Sequence, residues 1–208
     1  MKKIFSLVIS ILFVFVIGGA AYANPQLDFS VGLVGETISG LEGTIGVIYE
    51  FNEWLSADVD LLAAFGTKES GGAFVYYITL RAAANFKVYS YLNHDISIKI
   101  GVRENIFKDY PDMFPEDDFI VNVFSIGTGV KSNLYFSPKL KGYIDAFLPI
   151  INFSKQSFAR FAFNADVEVG LVYDINSNFS VGAKIRWSDL KGYTDTYMDA
   201  SIGVEYRF

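Results

Sequence analysis

The sequence contains no cysteine and a single histidine among its 208 residues. Without cysteine the chain has no disulfide framework, no thiolate metal site and no lipidated cysteine. Beyond residue 23 no apolar run reaches the about 18 residues that a membrane-spanning helix needs, which excludes a helical membrane protein. The net charge is −6, and this acidic balance disfavours nucleic acid as a partner.

The first 23 residues have the pattern of a secretory signal peptide. Lysines at positions 2 and 3 precede an apolar run from 4 to 17, and the stretch ends in Ala-Tyr-Ala at position 23. A basic start, a short apolar segment and a small-x-small end are typical of a cleaved export signal. We therefore expect residues 1–23 to be a signal peptide and residues 24–208 to form one domain. The alternative, an uncleaved anchor helix, is disfavoured by the short apolar length.

The rest of the chain alternates between apolar and polar residues. It is rich in aromatic residues and glycine, with 20 Phe, 13 Tyr and 18 Gly. Side chains alternate with period 2 along a strand, so each alternating segment predicts a strand with one apolar face. The ten predicted strands are 26–34, 44–51, 55–65, 74–88, 95–106, 119–131, 139–148, 161–173, 179–187 and 199–208.

The connections between these strands also alternate. Those after even-numbered strands are compact, as at 52–53 and 174–178, whereas several after odd-numbered strands are longer, as at 108–118 and 152–160. Short turns at one end and long loops at the other are typical of transmembrane barrels. The pattern predicts an all-β fold, a closed antiparallel up-and-down transmembrane β-barrel of ten strands, with eight strands as the alternative.

Alternation does not by itself say which face points outward. A lipocalin-like soluble barrel would put the apolar face inside. Aromatic residues gather at the predicted strand ends, for example Tyr135, Tyr206 and Phe208 at the compact end and Tyr76 and Trp187 at the other. Two aromatic girdles around an aliphatic band are typical of a lipid-facing exterior. We therefore expect the apolar face outside and the charged face inside.

The charged face would form an ion-pair and hydrogen-bond network in the lumen, because charges removed from water need partners. Arg186 would sit opposite Asp199 if the last two strands pair through the loop 190–195. The predicted network consists of Asp28, Glu50, Asp58, Asp60, Arg81, Lys87, Lys99, Arg103, Lys141, Asp145, Asp166, Glu168, Lys184, Arg186, Asp199, Glu205 and Arg207.

The export signal, the alternating strands and the terminal pattern resemble those of small bacterial outer-membrane β-barrel proteins, a porin-like superfamily of Gram-negative cells. The resemblance implies residence in the outer membrane with both termini in the periplasm. It also implies contact with outer-membrane lipid and lipopolysaccharide, and with periplasmic chaperones and the outer-membrane assembly machinery during biogenesis. The residues that match the terminal assembly signal of that superfamily are Ile202, Val204, Tyr206 and Phe208.

For each candidate residue the sequence favours a structural role over a catalytic, cofactor-binding or metal-binding one. The single histidine, His94, falls in a predicted turn at the compact end, away from the outer rim where hydrolytic barrels need a base. The acidic loop 108–118 lacks the spaced ligands and glycine of a calcium loop and is interpreted as solvated.

The pattern therefore favours a non-enzymatic barrel with a charge-filled lumen, acting as an envelope structural or surface-interaction protein. A narrow passive channel for ions or small solutes is the first alternative, because ten strands leave a lumen only slightly wider than a filled one. A lipid- or peptide-processing enzyme is the less favoured alternative.

Overall fold

The computed structural model describes residues 24–36, 38–68, 74–109, 119–154, 165–188 and 197–208. No helix in these parts of the chain is long and apolar enough to cross a membrane. The strands are β1 (Asn24–Glu36), β2 (Ile38–Asn52), β3 (Leu55–Lys68), β4 (Phe74–Tyr91), β5 (His94–Asp109), β6 (Phe119–Ser137), β7 (Leu140–Ser154), β8 (Asp166–Asp174), β9 (Phe179–Ser188) and β10 (Tyr197–Arg207).

The ten strands form a closed antiparallel barrel in which each strand pairs with its neighbours in sequence and β1 pairs with β10. Closure brings Leu27 opposite Tyr206 and Val31 opposite Ile202. A closed sheet has no free edge, so every strand can satisfy its backbone hydrogen bonds within the barrel. The predicted up-and-down barrel of ten strands is confirmed, and the alternative of eight strands is wrong.

The apolar face of the sheet is the outer one. Leu33 on β1, Ile100 on β5 and Ile202 on β10 are 67%, 57% and 68% exposed. Val34, Lys99 and Ser201, which follow or precede them in sequence, point inward and are buried, although Lys99 is charged. An exterior of aliphatic and aromatic side chains around a polar interior suits lipid and not water. The soluble lipocalin-like arrangement is therefore excluded.

The barrel has two different ends. Its turn end carries the connections that the structure describes, such as the turn in which the Asn52 side chain accepts hydrogen bonds from the backbone N–H groups of Trp54 and Leu55. Both Asn24 and Phe208 lie at this end, where the Phe208 N–H donates to the carbonyl of Pro25. The opposite end, which we call the loop end, carries the connections between odd and following even strands.

Several strands are longer than the alternation predicts. Strand β2 begins at Ile38 and not at residue 44, and β6 continues to Ser137, past the predicted end at 131. Strand β7 runs to Ser154, so that residues 152–154 are strand and do not begin the following loop. Residues 161–164 of the predicted eighth strand lie outside the described residues, and the described part of β8 begins at Asp166.

Candidate functional site

The inward face of the barrel gathers the charged side chains, and the largest group is centred on Lys99. The Lys99 ammonium is fully buried and lies 2.7 Å from Asp145 Oδ2 and 3.2 Å from Asp58 Oδ2. Arg81 Nε donates to Asp60 Oδ2 at 2.8 Å, and its Nη2 lies 3.9 Å from Asp145. We call these five residues the Lys99 cluster. They come from strands β3, β4, β5 and β7. The cluster therefore connects β7 to three strands that are not its neighbours in the sheet.

A second group is centred on Glu168 of β8, which lies opposite Asp145 in the register of β7 and β8. Arg186 on β9 donates to Glu168 Oε2 through Nε at 3.0 Å and Nη2 at 2.6 Å. The Tyr143 hydroxyl donates to the other carboxylate oxygen at 2.8 Å, and Lys184 lies 3.7 Å away. A carboxylate with donors on both oxygens is well satisfied inside a barrel. The Glu168 carboxylate is therefore held in place, and each of its two oxygens accepts a hydrogen bond.

Nearer the loop end, Arg103, Asp166 and Phe147 pack together inside the lumen. Arg103 Nη1 pairs with Asp166 Oδ2, and its guanidinium carbon lies 5.6 Å from the centre of the Phe147 ring. Arg103 and Phe147 are each 1% exposed. Gly127 leaves room for this ring, because a Cβ atom there would come within 2.7 Å of it. We call these three residues the lumen seal.

On the turn-end side of the Lys99 cluster the lumen is open. A cavity of about 180 Å³ lies there, lined by residues that include Glu50, Lys131, Asn133, Tyr135 and Lys141. Glu50 and Tyr135 are exposed at its mouth, whereas Lys99 and Arg103 are buried beyond its inner end. Among the described residues, this turn-end cavity lies on the turn-end side of the Lys99 cluster, and the side chains of Arg103 and Phe147 on its other side are buried.

The structure places the predicted network on the lumen side. The register sets Asp199 directly opposite Arg186, as expected, and both are buried. At the turn end Arg207 lies 3.1 Å from Asp174 and 3.8 Å from Glu205, and Lys87 lies 3.5 Å from Asp95. Asp28 lies 3.9 Å from Lys184. Glu50 and Lys141 line the turn-end cavity.

Among the described residues, four lumen charges lie outside the predicted network. They are Glu42, Asp95, Lys131 and Asp174. Glu42 is 4% exposed and was missed because the predicted second strand began two residues after it. Asp174 was assigned to a turn. Asp95 and Lys131 lie on the polar faces of the predicted strands 95–106 and 119–131. The alternation therefore contains the signal that places them in the lumen.

Two residues have positions that differ from the prediction. Tyr135 does not belong to the lipid-facing girdle, because its hydroxyl donates to Asp95 Oδ2 at 3.2 Å and its ring lines the turn-end cavity. His94 is the first residue of β5 and not a turn residue, and its Nε2 lies 2.8 Å from Ser132 Oγ. The acidic loop falls mostly at residues 110–118, outside the described residues.

Gly170 on β8 makes room for Tyr143, and this gives a test of the Glu168 group. A Cβ atom at position 170 would approach the Tyr143 ring to 2.5 Å, so Gly170→Ala must displace the ring and break its hydrogen bond to Glu168. We expect a loss of about 1–3 kcal/mol in the free energy of unfolding, measured by urea titration in detergent micelles. Gly35→Ala is the control, since nothing lies within 4 Å of its added Cβ atom. Equal stabilities would contradict this packing.

The described residues contain no group of three or more histidine, aspartate or glutamate side chains that could hold a metal ion. In the Lys99 cluster the acids pair with cations: Asp60 with Arg81, and Asp145 with Lys99.

A closed ten-stranded barrel with an apolar exterior and a charged lumen defines the class of the protein: it has the fold of the outer-membrane β-barrels. The outer membrane protease OmpT from Escherichia coli is similar, with a TM-score of 0.61 at 9% sequence identity over 89% of this chain and 97% of that chain. The NanC porin has a TM-score of 0.51 at 10% identity over 88% of this chain and 100% of that one. The sequence itself matches no protein-family model and no curated protein sequence. A protease and a porin share this fold, so the fold does not choose between activities.

Proposed function

We propose that the chain is a non-enzymatic barrel of the outer membrane whose lumen does not conduct, and that it serves as an envelope structural or surface-interaction protein. The observation that carries this proposal is the lumen seal together with the Lys99 cluster. Arg103, Lys99 and Phe147 are each at most 1% exposed. A fully buried arginine and lysine, paired with carboxylates inside the barrel, support a lumen that is closed at this level.

The location follows from the same proposal. The apolar exterior supports contact with membrane lipid, and we place the turn end in the periplasm because outer-membrane barrels carry their short turns there. Both termini would then be periplasmic. Lipopolysaccharide would contact the exterior near the loop end, and the terminal residues Ile202, Val204, Tyr206 and Phe208 would be read by the assembly machinery.

A narrow channel is the second candidate, favoured by one observation. The turn-end cavity already opens about 180 Å³ of the lumen, and among the described residues the Lys99 cluster and the lumen seal lie between its inner end and the loop end. Passage would require these buried pairs to separate, and breaking a buried pair costs about 3–5 kcal/mol.

Conductance in planar bilayers separates these two candidates. The refolded wild-type barrel is expected to give no discrete current steps. The variant Lys99→Ala/Arg103→Ala/Phe147→Ala is the matched control, because it empties the lumen seal and the centre of the Lys99 cluster and is expected to give small steps once inserted. Reproducible steps from the wild type, of a size similar to those of the variant, would overturn the proposal that the lumen is closed.

An enzyme is the third candidate, and the His94–Ser132 contact of 2.8 Å is the observation that bears on it. Among the described residues His94 makes no second side-chain hydrogen bond, so nothing orients its ring as the third member of a triad would. Its other contact is with the Tyr89 ring, at 5.9 Å between centres. Hydrolysis of lipid or peptide that disappears in His94→Gln would contradict the non-enzymatic proposal.

A further inference from the structure

Glu104 on β5 departs from the alternation that the rest of the barrel follows. Its sequence neighbours Arg103 and Asn105 point into the lumen and are 1% and 0% exposed, so Glu104 lies on the outer face. The register sets it between Leu80 on β4 and Phe124 on β6. Among the strand residues whose side chains the structure describes, no other aspartate, glutamate, lysine or arginine lies on this outer face. Glu104 therefore places a carboxylate in a mostly apolar surface.

Asn122 on β6 fixes the position of the Glu104 carboxylate. The Asn122 Nδ2 donates a hydrogen bond to Glu104 Oε1 at 2.8 Å, and both side chains are half-buried. Within the described residues Glu104 Oε2 has no hydrogen-bond donor, and no lysine or arginine nitrogen lies within 4.0 Å of either oxygen. Glu168 in the lumen differs, because both of its oxygens accept hydrogen bonds and Arg186 supplies a positive charge.

A carboxylate on the lipid-facing side of a barrel needs a partner. An ionised group in or near hydrocarbon has lost much of its hydration, and this loss is offset only by an opposite charge or by hydrogen-bond donors. Asn122 supplies a neutral donor and no charge. The partner that completes the site must therefore donate a hydrogen bond and carry a positive charge. A primary ammonium group does both, because it has three N–H donors and a positive charge.

The position of Glu104 along its strand places it where lipid headgroups can reach it. Ile100 lies near the middle of β5 (His94–Asp109), and Glu104 follows it by four residues toward the loop end. At about 3.3 Å per residue and a strand tilt of about 40°, this step covers about 10 Å along the barrel axis. The apolar band of such barrels is about 25 Å tall, so half of it is about 12 Å. Glu104 thus lies close to the boundary between hydrocarbon and headgroups on the loop-end side.

We propose that Glu104, held by Asn122, binds the primary ammonium group of a membrane lipid headgroup. The proposal deepens the contact with membrane lipid that is proposed above and rests on it, since it names the headgroup chemistry that one part of the exterior selects. It does not depend on closure of the lumen, because Glu104 and the lumen lie on opposite faces of the sheet.

Three other partners fit this surface less well. An anionic headgroup would bring its charge toward the Glu104 carboxylate, and like charges repel. A second copy of the chain, packed symmetrically through this face, would bring the two Glu104 carboxylates toward each other. A quaternary ammonium headgroup carries the positive charge but has no N–H group to donate. Charge and hydrogen-bond donation together therefore favour a primary ammonium group.

Lipid binding to the refolded barrel in neutral detergent, followed by native mass spectrometry, tests the proposal. The probes are phosphatidylethanolamine and phosphatidylcholine with the same acyl chains, because they differ only in the methyl groups that replace the N–H donors. The wild type is expected to bind the first phosphatidylethanolamine at least about threefold more tightly, a ratio in the range of a partly exposed charge pair. Glu104→Gln keeps an acceptor for Asn122 but removes the charge, so the ratio should fall to about one. This variant is expected to fold, because it removes a charge from a lipid-facing surface.

Glu50→Gln is the matched control, because Glu50 is exposed at the mouth of the turn-end cavity and not on the outer face, and its ratio should equal that of the wild type. Equal affinities of the wild type for the two lipids would overturn the proposal, as would an unchanged ratio in Glu104→Gln. Tighter binding of phosphatidylglycerol than of phosphatidylethanolamine to the wild type would assign the site to an anionic headgroup and overturn it too.

A dimer of the wild type that disappears in Glu104→Gln would assign Glu104 to a protein contact and likewise overturn the proposal. Loss of the lipid contact as a whole is a different result, because neither lipid would then bind. Failure of the Glu104 site alone would leave both lipids bound with equal affinity, so the two failures are distinguishable.

Discussion

Replacing Lys99 by methionine is expected to lower the free energy of unfolding by about 3–5 kcal/mol, the cost of removing one partner from a buried ion pair. The methionine keeps much of the side-chain volume but leaves Asp58 and Asp145 without the ammonium that lies 3.2 and 2.7 Å from them. Arg81 is 3.9 Å from Asp145 and replaces little of that contact. Urea unfolding in phospholipid vesicles, followed by tryptophan fluorescence, measures the difference.

Lys87→Met is the matched control for this experiment. Lys87 also pairs with a carboxylate, Asp95, at 3.5 Å, but its side chain is 35% exposed at the turn end. Exposed pairs contribute about 0–1 kcal/mol, so the control should stay near the wild type. Adding Asp145→Asn to Lys99→Met should recover part of the loss, because it removes one of the two uncompensated charges. Similar losses from Lys99→Met and Lys87→Met would show that burial does not strengthen the Lys99 cluster.

Replacing Ile100 by lysine is expected to cost about 2–4 kcal/mol when the barrel spans a bilayer, the range for a lysine on the lipid face near the membrane midplane. Ile100 lies on the outer face of β5 with 57% of its surface exposed, between Ala84 and Thr128 on the flanking strands. In water such a change on a surface would be close to neutral. The experiment therefore distinguishes lipid from water as the medium that contacts the outer face of the barrel.

Leu92→Lys is the control for Ile100→Lys. Leu92 is 89% exposed in the turn between β4 and β5, where the added charge can reach water, and we expect a change of at most about 0.5 kcal/mol. The comparison is made in vesicles by reversible urea unfolding. A loss from Ile100→Lys no larger than that of the control would contradict a lipid-facing exterior.

The strands that alternate cleanly were predictable from sequence, and those that do not were mispredicted for physical reasons. Strand β9, predicted as 179–187, is observed as Phe179–Ser188. The start of β2 was missed because Gly40 and Gly43 stand in it, and glycine is depleted in strands. Strand β6 was cut short because polar residues near its turn end obscure the alternation.

The inward positions of the lumen charges could be predicted, but their pairing could not. Alternation says which side of the sheet a residue faces, and neighbouring register gave Arg186 opposite Asp199. Arg103 on β5 meets Asp166 on β8 across the lumen, and Lys99 on β5 meets Asp145 on β7. Such contacts depend on strand tilt and stagger around the whole barrel, which a single strand's pattern does not contain.

The pairing of β1 with β10 sets the order of events in folding. Gln26 and Glu205, which share a hydrogen bond across this seam, are separated by 179 positions in the chain. Contacts between residues so far apart form late and slow the overall rate, because a long loop must close before they add any stability. Until β10 arrives, β1 and β9 each keep an open edge that can pair with another chain. These two edges are therefore the last sites at which the barrel can pair with another chain before it closes.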